Sequence, residues 1–91
     1  MINVEQESAF KRTYKKLHKN QFAGVNAAIG AIMADPAIGE EKKGDLAGVR
    51  VYKFDVQNQM YLIAYEVDET TIMLMALGAH ENFYRDFKKA K

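Results

Sequence analysis

Three strand-like runs follow one another in the second half of the chain and restrict its possible folds more than any other feature. They cover residues 49–56, 60–67 and 71–78, and very short connections separate them. Short connections join neighbouring antiparallel strands, because parallel strands need a crossover of about a dozen residues or more. The third run is apolar at both alternating positions, which is typical of a strand buried on both faces. The sequence therefore predicts an antiparallel meander whose third strand lies inside the sheet.

The first half of the chain combines a short strand pattern with two helical patterns. Ile2 and Val4 alternate with polar residues, as in a short strand. Residues 9–20 then follow helical spacing, with Ser8 placed to cap the helix. A second helix ends at Pro36, because a proline pushes the preceding residue out of the α region. The apolar faces of the two helices contain Phe10, Tyr14 and Leu17, and Phe22, Val25, Ile29, Ile32 and Met33, respectively.

A last helix is predicted over residues 81–89, where Phe83 and Tyr84 belong to a narrow aromatic face. A loop rich in glycine and charge, residues 35–48, separates the two earlier helices from the meander. The predicted element order is therefore β-αα-βββ-α. This order predicts an α+β fold with the helices packed on a small antiparallel sheet.

The composition fits one domain, residues 1–91, and excludes several functional classes. With no cysteine, the chain cannot form a disulfide or a thiolate metal site, and two histidines are too few for a histidine-rich one. No apolar stretch reaches the ~20 residues that span a membrane and no signal-peptide pattern is present, so a cytoplasmic location is expected. The net charge of +1 argues against indiscriminate binding of nucleic acid. We expect no metal or other cofactor.

His80 is the residue whose position most suggests chemistry. It follows the third strand of the meander and opens the predicted last helix, and this corner would expose its side chain at the edge of the sheet. Imidazole exchanges protons near neutral pH without help from neighbouring groups. The structural alternative is a capping residue whose ring packs on Phe83 or Tyr84. His18, on the basic first helix, is expected to be solvated.

A second group of candidate residues is basic and surrounds the first strand of the meander. Lys42 and Lys43 precede this strand, and Arg50 and Lys53 lie on it. Because side chains alternate along a strand, Arg50 and Lys53 must point to opposite faces, so only one of them can face a given site. The structural alternative is an edge strand whose charges prevent unwanted pairing.

Four segments spread over nearly the whole chain carry a family resemblance: FKRTYKKLHKNQ, DP-x-IG-x-x-KKGDLAG, YLIAYEV and LGAHENFYRD. Together they resemble the RelE/ParE superfamily, which comprises toxins of bacterial type II toxin–antitoxin modules. The resemblance implies the β-αα-βββ-α fold and a cognate antitoxin protein as partner. It also implies one of two targets, because the better-known enzymes of the superfamily cut mRNA on the ribosome without a metal, whereas the ParE branch inhibits DNA gyrase.

For the RNA-cleaving branch, the resemblance implies a role for each of several residues. His80 matches the residue that protonates the leaving group, and Lys53 or Glu81 would act as the base. Arg50 would stabilise the charge of the phosphate, and Tyr84 would orient the substrate. The residues expected to contact RNA or the protein partner are Lys42, Lys43, Arg85 and Lys88.

Two features depart from the pattern of the RNA-cleaving branch. That branch often carries Tyr-Arg-x-x-Tyr on its middle strand, but here Leu62 follows Tyr61 and the arginine is absent. The near-neutral net charge is the second departure, since members that act on the ribosome are usually strongly basic. His80 favours an endoribonuclease that inhibits translation, and the missing arginine favours a gyrase inhibitor without enzymatic activity. A small interaction module without chemistry is the third interpretation.

Overall fold

The computed structural model describes residues 3–80 and Phe83. Over these residues the chain forms a five-stranded sheet with two helices, in the predicted order except for one short additional strand, Glu40–Glu41, within the predicted loop 35–48. The C-terminal helix predicted over residues 81–89 lies outside the described residues except for Phe83, which is helical. The elements are β1 (Asn3–Gln6), α1 (Ser8–Lys15), α2 (Phe22–Ala34), β2 (Glu40–Glu41), β3 (Arg50–Val56), β4 (Gln59–Val67) and β5 (Thr71–Ala79), with 3₁₀ turns at Lys19–Gln21 and Gly44–Leu46.

The sheet has the strand order β1-β5-β4-β3-β2 and is mixed. Strands β3, β4 and β5 form the predicted antiparallel meander, and β5 lies inside the sheet, as predicted. The predicted α+β fold is confirmed, and the sheet departs from the antiparallel arrangement in one pair, since β1 pairs with β5 in parallel, with Val4 opposite Ile72. The parallel pair is possible because the helices and the meander together form a crossover far longer than the minimum of about a dozen residues.

Both described helices pack on one face of the sheet, which we call the helix face. Phe10 of α1 and Val25 and Ile32 of α2 are completely buried there, as the helical spacing predicts. Met33 does not belong to this interface, contrary to prediction, since 48% of its surface is exposed, and Ala28 is buried instead. The sheet residues buried in the same cluster are Val56, Ile63, Tyr65, Ile72, Leu74 and Leu77.

The first helical segment differs from the prediction at both ends. Glu7 occupies the N-cap position and Ser8 is the first helical residue, so Ser8 is not the cap. The helix predicted over residues 9–20 stops at Lys15, and a separate 3₁₀ turn follows. The side-chain Oε1 of Gln21 accepts a hydrogen bond of 2.8 Å from the backbone N–H of His18 and so favours this turn over a continuous helix.

The opposite side of the sheet, which we call the far face, carries a second and smaller apolar cluster. Leu62 and Ala64 of β4 form part of it, and Val49 and Phe83 cover part of the strands. Met75 is an extra residue in β5, because Ala76 pairs with Ala64 while Leu74 pairs with Tyr65. This β-bulge lets β5 supply apolar side chains to both clusters.

Candidate functional site

The predicted site residues that the structure brings together lie on or beside the far face, near the turn that joins β3 to β4. Neighbouring strands place residues directly opposite one another, so the side chains form two rows across the meander. The outer strands of this arrangement carry polar side chains, and the middle strand carries apolar ones. We call it the strand grid: Lys53 and Asp55 on β3, Leu62 and Met60 on β4, and Gly78 on β5 with His80 directly after it.

The first row of the strand grid consists of Lys53, Leu62 and Gly78. Lys53 pairs with Leu62, and Leu62 pairs with Gly78. Lys53 is exposed, whereas Leu62 is completely buried in the same apolar cluster as Phe83. A Cβ on Gly78 would lie 3.4 Å from the ring of Phe83, so the missing side chain lets this ring approach the strand. The position where the family often carries an arginine is therefore part of a small apolar core.

The second row consists of Asp55, Met60 and His80, and all three side chains are exposed. Asp55 pairs with Met60. Strand β5 ends at Ala79, which pairs with Tyr61, and His80, already helical, follows it and lines the same depression as Met60. This open depression has a volume of about 290 Å³ and is also lined by residues of the adjoining turn.

The turn between β3 and β4 fixes the end of the strand grid. Gln57 and Asn58 are its two central residues, and both have a positive φ, 54° and 64° respectively. Two left-handed residues in succession are typical of a type I′ turn, whose twist matches that of the strands it joins. The turn is therefore tighter than the three-residue connection in the sequence prediction, and it aligns Val56 with Gln59.

Lysines and one carboxylate surround the β3 edge of the strand grid. Glu40 of β2 pairs with Val51 and lies on the same face as Lys53. A hydrogen bond and ion pair with Lys42 lower the pKa of Glu40, and the charge of Lys53 lowers it further. Lys42 is therefore engaged by Glu40, whereas Lys43 is exposed. Lys42 and Lys43, which were predicted to contact RNA or the protein partner, directly follow the edge strand β2.

Arg50 lies on the opposite face of β3 from Lys53, as strand alternation predicts. Its Nη1 donates hydrogen bonds to the carbonyl oxygens of Ala37 and Gly39, at 3.3 and 2.8 Å, and its Nη2 lies 3.9 Å from a carboxylate oxygen of Glu41. The structure therefore does not bring Arg50 together with Lys53 and His80. Arg50 instead holds the segment that connects α2 to β2.

Tyr65 fixes the same connecting segment from inside the helix face. Its hydroxyl donates a hydrogen bond to the carbonyl oxygen of Pro36 at 2.7 Å and accepts one from the N–H of Gly39 at 2.9 Å. Burial raises the pKa of Tyr65. A Cβ on Gly39 would lie only 2.7 Å from this hydroxyl, so the segment needs glycine at that point. Sequence reasoning missed this role, and the tyrosine that directly follows the apolar residues 62–64 was its signal.

The remaining predicted site residues, Glu81, Tyr84, Arg85 and Lys88, lie outside the described residues. Within residues 3–80 and Phe83, no helix is long and apolar enough to cross a membrane. The same part of the chain contains no cluster of three or more histidine, cysteine, aspartate or glutamate residues arranged to hold a metal ion.

Solved structures of bacterial toxins share this fold. RelBE2, a toxin–antitoxin complex from Mycobacterium tuberculosis, contains a chain with a TM-score of 0.74 and 22% identity, covering 87% of this chain and 98% of that one. A mutant of the E. coli toxin RelE in the free state gives a TM-score of 0.73 at 14% identity, covering 98% and 96%. E. coli YafQ gives a TM-score of 0.62 at 13% identity, covering 89% and 96%. The fold is thus that of the RelE toxins.

The family follows from the sequence itself. Residues 4–88 match the family model of the ParE-like toxin of type II bacterial toxin–antitoxin systems. No curated protein matches the chain by sequence. The chain belongs to the ParE-like toxins of type II toxin–antitoxin systems, and the predicted RelE/ParE resemblance is confirmed.

Proposed function

We propose that this toxin is a ribosome-dependent endoribonuclease that cuts mRNA and so inhibits translation. The observation that carries the proposal is that Lys53, exposed on β3, and His80, exposed directly after β5, flank the strand grid from opposite sides. A cation and an imidazole flanking a shared surface are the groups that a metal-independent cleavage of RNA requires. The match of His80 and Lys53 to positions of the RNA-cleaving branch supports the same activity.

The proposed reaction uses the ribose 2′-hydroxyl of the mRNA as the nucleophile, and a base takes its proton as the 2′-oxygen forms its bond to phosphorus. Lys53 stabilises the negative charge that develops on the phosphate oxygens, and the imidazolium of His80 donates a proton to the departing 5′-oxygen. We assign no catalytic role to Arg50, because its guanidinium lies on the helix face and binds the carbonyl oxygens of the connecting segment.

The dimensions of the sheet support this division of roles. Lys53 and His80 are two strands and two residues apart, which places their Cα atoms roughly 12 Å from each other by ordinary sheet geometry. Both side chains are exposed and long enough for their polar ends to reach a phosphate between them. The apolar floor formed by Leu62 leaves these two groups as the polar walls of the site.

We also propose that a cognate antitoxin protein binds and neutralises this toxin. Two of the solved relatives are complexes of toxin and antitoxin, from E. coli and from Mycobacterium tuberculosis. Charge supports an acidic segment in the partner, because exposed lysines lie both on α1 and beside β2. Co-expression with the open reading frame adjacent to the toxin gene should restore growth. Continued growth arrest with every adjacent frame would contradict the proposal.

The decisive experiment compares the wild-type chain with His80→Ala and His18→Ala on ribosomes programmed with a defined mRNA. His80→Ala should lower the single-turnover cleavage rate by about 10²–10⁴-fold, the usual contribution of a general acid. His18→Ala is the matched control, since His18 is exposed beside α1 and should retain full activity. Thermal melting of both variants separates loss of chemistry from loss of folding.

A gyrase inhibitor without enzymatic activity is the second candidate function. Two observations favour it: the matching family model is that of ParE-like toxins, and the buried Leu62 provides no cation in the middle of the site. Purified gyrase and supercoiled plasmid test this candidate directly. Intact mRNA on the ribosome together with inhibited supercoiling would replace the nuclease proposal, and full toxicity of His80→Ala in growing cells would point the same way.

A further inference from the structure

We propose that Asp55 is the general base of this toxin, accepting the proton of the ribose 2′-hydroxyl. The inference rests on the proposed ribonuclease activity and names a residue that the family resemblance does not suggest. Asp55 is exposed, lies two residues after Lys53 on the same face of β3, and shares the second row of the strand grid with His80.

The separation of Asp55 from His80 suits an in-line displacement. Met60 of the middle strand lies between them, so their Cα atoms are two strand spacings apart, about 9–10 Å in an ordinary sheet. The two reacting oxygens flank the phosphorus, and one hydrogen bond of about 2.7–2.8 Å at either end places the base and acid atoms at most about 9 Å apart, within reach of two side chains that start from these Cα positions. Asp55 on the far face and His80 at the corner directly after β5 stand on either side of Met60, so they approach the phosphate from its two ends.

In the proposed reaction, Asp55, His80 and Lys53 each have one role. The carboxylate of Asp55 takes the proton of the 2′-hydroxyl as the 2′-oxygen forms its bond to phosphorus. The bond from phosphorus to the 5′-oxygen breaks, and His80 gives that oxygen a proton. The products are a 2′,3′-cyclic phosphate and a 5′-hydroxyl, and exchange with water returns Asp55 and His80 to their starting protonation states. Lys53 stays an exposed cation throughout and compensates the charge of the phosphate.

The other exposed carboxylates near the far face lie too far from His80 for this task. Glu40 pairs with Val51 of β3, three strands away and displaced along the sheet, roughly 19 Å from His80 between Cα atoms by sheet geometry. Glu5 and Glu66 also lie on the far face, but both pair with Met73 at the opposite end of β5. Asp55 is thus the described carboxylate whose position matches the acid.

The test uses two mRNA substrates on programmed ribosomes, one natural and one with sulfur in place of the scissile 5′-oxygen. A thiolate leaves without being protonated, because thiols ionise near neutral pH, so the sulfur substrate does not need a general acid. On the natural substrate, His80→Ala and Asp55→Asn should each lose about 10²–10⁴-fold in rate. On the sulfur substrate, His80→Ala should recover to within about tenfold of wild type, whereas Asp55→Asn should stay equally impaired.

Glu66→Gln is the matched control, since it also removes one exposed carboxylate from the far face and should leave both rates unchanged. A wild-type or faster cleavage rate for Asp55→Asn would overturn the inference. Such a rate is expected if the carboxylate of Asp55 only repels the phosphate, because its removal would then not slow the reaction. The inference would also be overturned if Asp55→Asn recovered its cleavage rate on the sulfur substrate. If His80→Ala fails on the natural substrate while Asp55→Asn does not, the ribonuclease proposal survives alone. If the wild-type chain cuts neither substrate, both proposals fall.

Discussion

The two faces of the sheet use the same kinds of residue for different purposes. On the helix face, Arg50 and Tyr65 bind backbone groups of the segment between α2 and β2 and lie under or beside the helices. On the far face, Lys53 and Asp55 are exposed along the strand grid, and His80 is exposed directly after β5. Arg50 and Lys53 are separated by only two residues of β3, yet one cation fixes a loop and the other is available to a ligand.

This difference shows that the face of a strand, rather than its sequence neighbourhood, decides the role of a polar side chain. The helix face is closed by α1 and α2, so a polar group there must find a partner within the protein or pay for its burial. The far face is covered only in part by Phe83 and the loop around Val49, so polar groups beyond that cover remain hydrated. The predictions below test this contrast.

The largest effect is expected from Leu62→Arg, which restores the arginine of the family at a buried position of the far face. Leu62 is completely buried, so an unpaired guanidinium there should lower the free energy of unfolding by about 3–5 kcal/mol. Urea denaturation measures this loss. Leu62→Met is the control and should cost less than about 1.5 kcal/mol, because it nearly conserves volume. Wild-type stability with faster RNA cleavage in Leu62→Arg would mean that this row contacts the substrate.

An intermediate effect is expected from Tyr65→Phe on the helix face. Removing the hydroxyl leaves the buried N–H of Gly39 and the carbonyl of Pro36 without this partner, at a cost of about 1–3 kcal/mol. Tyr14→Phe removes an exposed hydroxyl that donates to Asn26 at 2.7 Å, so it should cost clearly less in the same denaturation experiment. Equal losses in the free energy of unfolding for Tyr65→Phe and Tyr14→Phe would show that water reaches the segment between α2 and β2.

The smallest effect is expected at the turn between β4 and β5, which belongs to neither face. The backbone N–H groups of Thr70 and Thr71 donate to the carboxylate of Asp68, at 2.9 and 2.7 Å, and lower its pKa. The stabilisation is therefore present above the pKa of the unfolded state, about 3.9, and is lost as the pH falls through the lower pKa of the folded state. Asp68→Ala should be less stable than wild type at pH 7 and should approach it at pH 3.

Thermal melting at a series of pH values measures this convergence. Glu69→Ala, at the next exposed position of the same turn, is the control and should show no such pH dependence. A difference between Asp68→Ala and wild type that stays constant down to pH 3 would show that the turn does not depend on the ionised carboxylate.

Local pattern was enough to predict most of the elements and the face of each strand residue. Alternation placed Arg50 and Lys53 on opposite faces of β3, and short connections predicted the meander, because both depend on residues close together in sequence. The corner that exposes His80 after β5 was predicted in the same way. The end of α1 was not predicted. The side-chain oxygen of Gln21 accepts a hydrogen bond from the backbone N–H of His18, and this bond favours a 3₁₀ turn in a segment whose residues have helical spacing.

The sequence by itself determined which residues share a face, since the period of a strand or helix is a local property of the backbone. Only the tertiary structure decided that β1 pairs with β5 in parallel, that Leu62 is buried beside Phe83, and that Tyr65 holds the segment around Gly39. These features depend on contacts between residues distant in the chain, and several such pairings are compatible with the same local pattern. The strand grid that places Asp55 opposite Met60 and near His80 has the same origin, because register is fixed only when the strands pair.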